Sequence, residues 1–347
     1  MKITSLKSKE NGLVAIIITM ILMIILGLIT VGFARLVRRE QTQALDRQLS
    51  TQAFYSAEAG VNDIVGQIRA NKVDLSQDYD TTCNSVISSN GLSISPALDN
   101  SNNASYTCLL VDVSPTSLVY DIIDTASAVT IPVVAESGNI SSISIYWQDT
   151  TGNTSLGCTS ALGSFPPSAN WPAACNAGMI RMELVSTGSG VNRISLINNT
   201  LTAFLQPQQN ASAGTLGYNI ASNNGATVYG NCSAVQQPRM CKVIINSGLG
   251  GSSYYLRLRS IYKPNSVVVT ASSGGGPIEF LNAQAVIDST GKANDVLRRI
   301  SVRIPLDSGL GQGVPPFAIQ SGDSICKKFS VAPGIATTPE TDPACAP

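Results

Sequence analysis

Residues 13 to 34, LVAIIITMILMIILGLITVGFA, run for 22 positions without a charged side chain. As a helix at 1.5 Å per residue this stretch reaches about 33 Å, enough to cross a hydrocarbon core about 30 Å thick. A transmembrane segment is therefore expected, with residues 13 to 34 contacting membrane lipid. A cleaved secretory signal fits poorly, because its apolar part is roughly 7 to 15 residues long and ends at small residues. Here Arg35, Leu36, Val37, Arg38 and Arg39 follow at once. Lys2, Lys7 and Lys9 precede the segment, so positive charge flanks both ends and hardly decides the orientation.

The helical pattern continues beyond the membrane. No proline occurs before Pro96, and apolar or small residues recur at Leu45, Leu49, Ala53, Ala57, Val61, Ile64 and Ile68, at spacings of four and three. Arg38, Glu40, Asp46, Arg47, Gln48 and Asp63 occupy the other faces, which makes the stripe amphipathic and suited to packing on a globular domain or on another copy of itself. The expectation is one helix over residues 13 to 72, its uninterrupted part about 55 to 60 residues and roughly 85 Å long. A coiled-coil stalk is the competing reading, weakened by small residues at core positions and by Gly60 and Gly66.

Eight cysteines, Cys83, Cys108, Cys158, Cys175, Cys232, Cys241, Cys326 and Cys345, all lie after the helix, and none forms a CxxC pair. Structural disulfides in an oxidising compartment follow more naturally than a zinc ribbon or a redox motif, which places the C-terminal bulk outside the cytoplasm. Many connectivities are open; joining neighbours in chain order is the simplest because it closes four short loops. The chain contains no histidine, which excludes Ser-His-Asp and Cys-His catalysis and histidine metal sites. Its 22 basic and 22 acidic residues cancel, so the usual electrostatic case for a nucleic-acid partner is missing. The charge is nevertheless segregated: residues 73 to 180 hold nine acidic groups and no Lys or Arg. Solvated outer faces explain that asymmetry more simply than calcium binding does.

A short basic leader ending in Gly12, an apolar run from Leu13, and a continuous helix carrying Ala53-Phe54-Tyr55-Ser56-Ala57-Glu58-Ala59-Gly60 resemble type IV pilins and pseudopilins. The stretch is most similar to that of PilX-like minor pilins, the pilus assembly proteins, and to the K-type pseudopilin of type II secretion. The resemblance implies cleavage by a prepilin peptidase between Gly12 and Leu13, an inner-membrane assembly platform, and other pilins as partners. It implies a fold in which the helix packs on a β-rich headpiece with a disulfide near the C-terminus. It also implies that Ala57, Glu58 and Gly60 belong to the assembly helix. Main-shaft members carry glutamate at the fifth mature position; here that position is Ile17, which points away from the shaft and toward the tip.

Beyond residue 72 the period turns strand-like, with Gly, Pro, Asn and Ser punctuation. The expected class is α+β: a transmembrane and amphipathic helix on a disulfide-stapled, β-rich headpiece with a large insertion or second β lobe. Residues 1–12 read as leader, 73–250 as that lobe, 251–306 as a C-terminal antiparallel sheet and 307–347 as a disulfide-closed tail. The sheet is expected as one meander of Tyr254 to Tyr262, Val267 to Ala271, Ile278 to Asp288 and Val296 to Pro305, with Ser289-Thr290-Gly291-Lys292 in a connection and the helix laid upon it. Trp147 reads as a core aromatic. Trp171, on a loop enclosed by Cys158 and Cys175 if these pair, is the candidate ligand contact.

No other motif carries chemistry. Gly309-Leu310-Gly311-Gln312-Gly313 leads into Val314-Pro315-Pro316 rather than a helix, so it reads as a turn-rich linker and not a phosphate loop. Asp78 with Asp80, and Asp149 with Asn153, lack the calcium-loop spacing. No cofactor is expected. The reading is a structural filament subunit, possible contributor to adhesion, and not an enzyme. Two alternatives stay open: a type II secretion pseudopilin, and a membrane-tethered ectoenzyme that would use a carboxylate pair such as Asp121 and Asp124 or Asp78 and Asp80.

Overall fold

The structure is a computed structural model that describes residues 10–94, 97–99, 104–150, 158, 171, 175, 177–187, 198–209, 214–232 and 239–306. The chain divides into two compact units, one formed by residues 1–112 and 286–304, the other by 113–285 and 305–347. A long apolar N-terminal helix and a large disulfide-bonded β region make the class α+β.

In the first unit, α1 (Glu10–Arg69) is a single helix of 60 residues, as the absence of proline allows. Its residues from Ile16 through Val37 are exposed, and the helix is long and apolar enough to cross a membrane. Asn71, with φ 53°, takes the left-handed position that ends the helix. The first unit's sheet has the order β1 (Ala97–Asp99), β2 (Ala104–Asp112), β14 (Gln284–Ala293), β15 (Val296–Pro305). β2 and β14 pair antiparallel, with a bulge where Thr290 faces Cys108 and Gly291 faces Tyr106, so that Thr107 is skipped. That extra residue shifts the phase of β2, and both Ala104/Tyr106 and Leu109/Val111 become buried. Between α1 and β2 the chain makes an excursion containing α2 (Ser85–Ser89). Tyr79 exchanges backbone hydrogen bonds with Val111, and Cys83 is bonded to Cys108, so the excursion is pinned to β2.

The second unit is built on an eleven-stranded sheet comprising β3 (Leu118–Ile123), β4 (Val129–Val134), β5 (Ser142–Asp149), β6 (Met179–Ser186), β7 (Thr200–Gln208), β8 (Gly214–Gly217), β9 (Ala226–Asn231), β10 (Cys241–Ser247), β11 (Ser253–Ile261), β12 (Asn265–Ser273) and β13 (Gly276–Pro277). The path runs β13-β12-β5-β10-β9-β7-β6-β11-β4, with β3 beside β12 and β8 beside β10. Alternate residues of both ends of this path, Ile143, Trp147, Val267 and Val269 at one and Ile131, Leu256 and Leu258 at the other, enter one core. The sheet therefore curls around its own apolar face. A four-residue helix, α3 (Ile220–Asn223), precedes β9.

Two expectations need correction. The four C-terminal runs do not form one meander: β11 and β12 belong to the eleven-stranded sheet, while β14 and β15 pair beside β2. Alternation shows that each strand has a buried face, but the partner that buries it, here a strand some 180 residues earlier, leaves no local mark. Ser289 to Lys292 are not a connection either; they lie inside β14, and the turn is at Asn294, with φ 56°. Gly291, read as a turn residue, serves close packing against α1 instead. Asn153, the glycine-rich stretch 309–313 and the pair Cys326 and Cys345 lie outside the described residues.

Candidate functional site

The residues that carry the family resemblance divide cleanly by face. Ala53, Ser56, Ala57, Gly60, Val61, Ile64 and Ile68 are buried, whereas Phe54, Tyr55 and Glu58 are exposed. Small side chains bring the α1 backbone close to the sheet. A Cβ on Gly60 would stand 2.7 Å from Ser289 Oγ and 2.9 Å from Tyr106 Cγ, so the position admits only glycine without a shift of the seam. From the opposite side, a Cβ on Gly291 would collide with the Ala53 carbonyl oxygen and the Ala57 amide nitrogen. Ser56, which would otherwise bring an unpaired hydroxyl into the seam, donates to Gln52 O at 2.8 Å.

The seam also carries a polar lock that the sequence pattern misassigns. Asp63, expected among the solvated polar residues, is half-buried and accepts a hydrogen bond from the Tyr106 hydroxyl at 3.0 Å. Burial, and then the bond to Asp63 and its negative charge, push the Tyr106 phenol well above its ordinary value. Toward the apolar run the same stripe opens: Leu49 is half-buried and Leu45 is 57% exposed. Gly12 and Leu13 fall in the first turn of α1. Ile17 is exposed within the apolar run, and so are Gly27 and Gly32, where an added Cβ would meet nothing within 4 Å beyond the adjoining helix backbone.

On the headpiece, Cys158 is bonded to Cys175 and Cys232 to Cys241, and among the described residues no cysteine is free. With Cys83–Cys108, these three bridges follow the order of the chain as expected. Trp171 does sit by the Cys158–Cys175 staple, but its ring is spoken for. It stacks on Tyr262 with centroids 4.3 Å apart, and its Nε1 donates to Cys175 O at 3.2 Å. Tyr262 itself has φ 73°, a conformation that an aromatic residue rarely adopts. The turn that holds it is braced by Asn265, fully buried, which accepts from Gly178 N and donates to Ser260 Oγ and Lys263 O. Trp147 is fully buried, as a core aromatic should be, and donates to Gly178 O at 3.1 Å.

Among the described residues, Asp78, Asp80, Asp121 and Asp124 included, no group of three or more acidic or cysteine side chains could hold a metal ion. Sequence reasoning missed Asn265, Tyr262 and the enclosed Gln206, whose amide atoms have no hydrogen-bond partner. Asn and Gln are so frequent along the chain that no spacing separates a buried one from a surface one. No family model, curated protein or solved structure matches the chain.

Proposed function

We propose that the chain is a pilin-like structural subunit, anchored in the membrane by α1 and built into a surface filament as a minor pilin at or near its tip. One observation carries the reading. The stretch on which the resemblance rests places Ala53, Ser56, Ala57 and Gly60 against a sheet, and the same unbroken helix continues into an exposed apolar run. Such an element serves twice: the apolar run keeps the subunit in the bilayer before assembly, then trades lipid for the helices of other pilins. Exposed Gly27 and Gly32 permit close helix approach in that second state.

The implied partners are a prepilin peptidase, an assembly platform and neighbouring pilins, with the headpiece outward and available for adhesion. The oxidising compartment that three bridged cysteine pairs suit agrees with an extracytoplasmic headpiece. The test is the N-terminal sequence and intact mass of protein taken from its native membrane. The expected product begins at Leu13, its mass lower by the 12 residues of the leader. Retention of Met1 on mature protein overturns the reading.

A further inference from the structure

From Ile16 through Val37 every large apolar side chain of α1 is exposed. The polar side chains within that run, Thr19 and Thr30, spend their hydroxyls on the helix itself, donating to Ile16 O and Leu26 O. A hydroxyl satisfied in this way asks nothing of its surroundings, so the lateral surface of the run suits hydrocarbon throughout.

That surface ends in a concentration of positive charge. Arg35, Arg38 and Arg39 are exposed, and among the described residues none of the three enters an ion pair. A helix turns about 100° and rises 1.5 Å per residue, so the three arginines share about 100° of arc and about 6 Å of its length. No acidic residue stands three or four positions from any of them, and Glu40 is turned about 100° away from Arg39 and farther from the other two. Arg35 therefore faces like charge at both i+3 and i+4, an arrangement that repels itself in water and that a shared anion relieves. Leu36 and Val37, exposed between the arginines, carry the apolar surface through the same turn. Cationic and apolar surfaces overlap there as they do where hydrocarbon gives way to headgroups: the arginine stems lie along apolar surface and the guanidinium groups reach toward water.

We propose that Arg35, Arg38 and Arg39 form a headgroup-binding face that takes the phosphate of an anionic phospholipid, in the leaflet from which the rest of the chain emerges. Insertion of the apolar run holds the three guanidinium groups at the depth of the lipid phosphates. Each offers parallel N–H donors that match two phosphate oxygens. Net lipid charge decides the choice, because a zwitterionic headgroup presents the same phosphate beside a cation that three arginines repel. The inference rests on α1 crossing a bilayer and needs neither the filament reading nor cleavage of the leader.

The experiment places the full chain in phosphatidylcholine vesicles with a trace of spin-labelled phosphatidylglycerol or spin-labelled phosphatidylcholine, and electron spin resonance separates lipid held at the protein from free lipid. The expected result is phosphatidylglycerol held about fivefold or more tightly than phosphatidylcholine, the contribution of one arginine at a charged lipid surface. R35Q/R38Q/R39Q should lose most of that preference, and K2Q/K7Q/K9Q, before the apolar run, should keep most of it. Glutamine preserves helix propensity at these exposed positions, so the arginine variant leaves the helix intact. Inorganic phosphate in excess over the labelled lipid should change nothing relative to chloride of equal ionic strength. Equal retention of the two lipids, a preference that follows the lysines instead of the arginines, or one that inorganic phosphate abolishes overturns the headgroup site while leaving α1 as a membrane span. Absence of held lipid of either kind overturns the span itself and the site with it.

Discussion

The Tyr106 hydroxyl donates to Asp63 Oδ2 at 3.0 Å, joining the C-terminal part of α1 to β2 at a point where the tyrosine is 1% exposed. Replacing Tyr106 by Phe keeps the ring in the seam and removes only this bond. A loss of about 1.5 to 3 kcal/mol is expected, the range for a hydrogen bond to a charged group, measured by chemical denaturation. The same pair gives a pH signature. The folded state holds the phenol proton more tightly than the unfolded chain does, so its contribution is complete below about pH 10 and falls as the pH rises above that value. Y106F should lack this alkaline decline, and parallel stability curves for the two proteins would refute the assignment.

Gly291→Ala should be more damaging than Gly60→Ala. The first sets a methyl group against the α1 backbone, which cannot turn aside, while the second meets the Ser289 hydroxyl and the base of the Tyr106 ring. Overpacking costs of about 1 to 3 kcal/mol, with G291A at or beyond the upper end, are expected. If G291A matches the parent in thermal unfolding, the close approach of β14 to α1 is wrong.

Asn265→Ala should be among the most destabilising single changes in the second unit. It strands Gly178 N and the Lys263 carbonyl and frees the left-handed turn at Tyr262. About 2 to 4 kcal/mol is expected from buried groups left without partners. Trp171→Ala should cost less, about 1 to 2 kcal/mol for a partly exposed aromatic stack. A reversed order in denaturation midpoints would show that the stack, not Asn265, holds the turn.

Alkylation of denatured, unreduced protein should label no cysteine, with Cys326 and Cys345 expected to close the fourth loop. Several labelled thiols would defeat that expectation. Replacing both Cys83 and Cys108 by Ala should lower stability by about 2 to 4 kcal/mol and release the excursion between α1 and β2, visible as new proteolytic sites around residues 73 to 90.

Under the filament proposal the subunit should be scarce and confined to filament ends. In the resembled family the fifth-position glutamate neutralises the N-terminal ammonium of the subunit ahead, and an unpaired charge in an apolar core costs several kcal/mol. Ile17 cannot supply that carboxylate, while the ammonium of Leu13 can still be met by a glutamate from behind, so the first position carries the least penalty. Immunogold labelling at filament ends is expected; uniform decoration along the shaft is the contrary outcome.

The helix was legible because its signals are local: charge-free length, absence of proline, and a repeat of small residues from Ala53 to Ile68. Individual strands such as β11, β12 and β15 were legible from their strand-like runs for the same reason. Their assembly was not. Nothing near Gln284 to Ala293 announces pairing with Ala104 to Asp112, and Gly291 has the composition of a turn although it serves a seam. Trp171 was singled out as a candidate ligand contact, but the ring it stacks on, Tyr262, is 91 positions further along the chain.

No joint separates the apolar run of α1 from the part wedged against β2 and β14. Helical hydrogen bonds continue from one to the other, so a pull along the axis at the N-terminal end is not absorbed by a slack connector. It reaches Ala53, Ala57 and Gly60 as a sliding load on the seam, where interlocked backbones and the Tyr106 anchor must resist together. Mechanically, the sheet of the first unit grips α1 like a tang, and a pull must first defeat the fit along that contact before the load passes to the excursion that Cys83–Cys108 pins to β2.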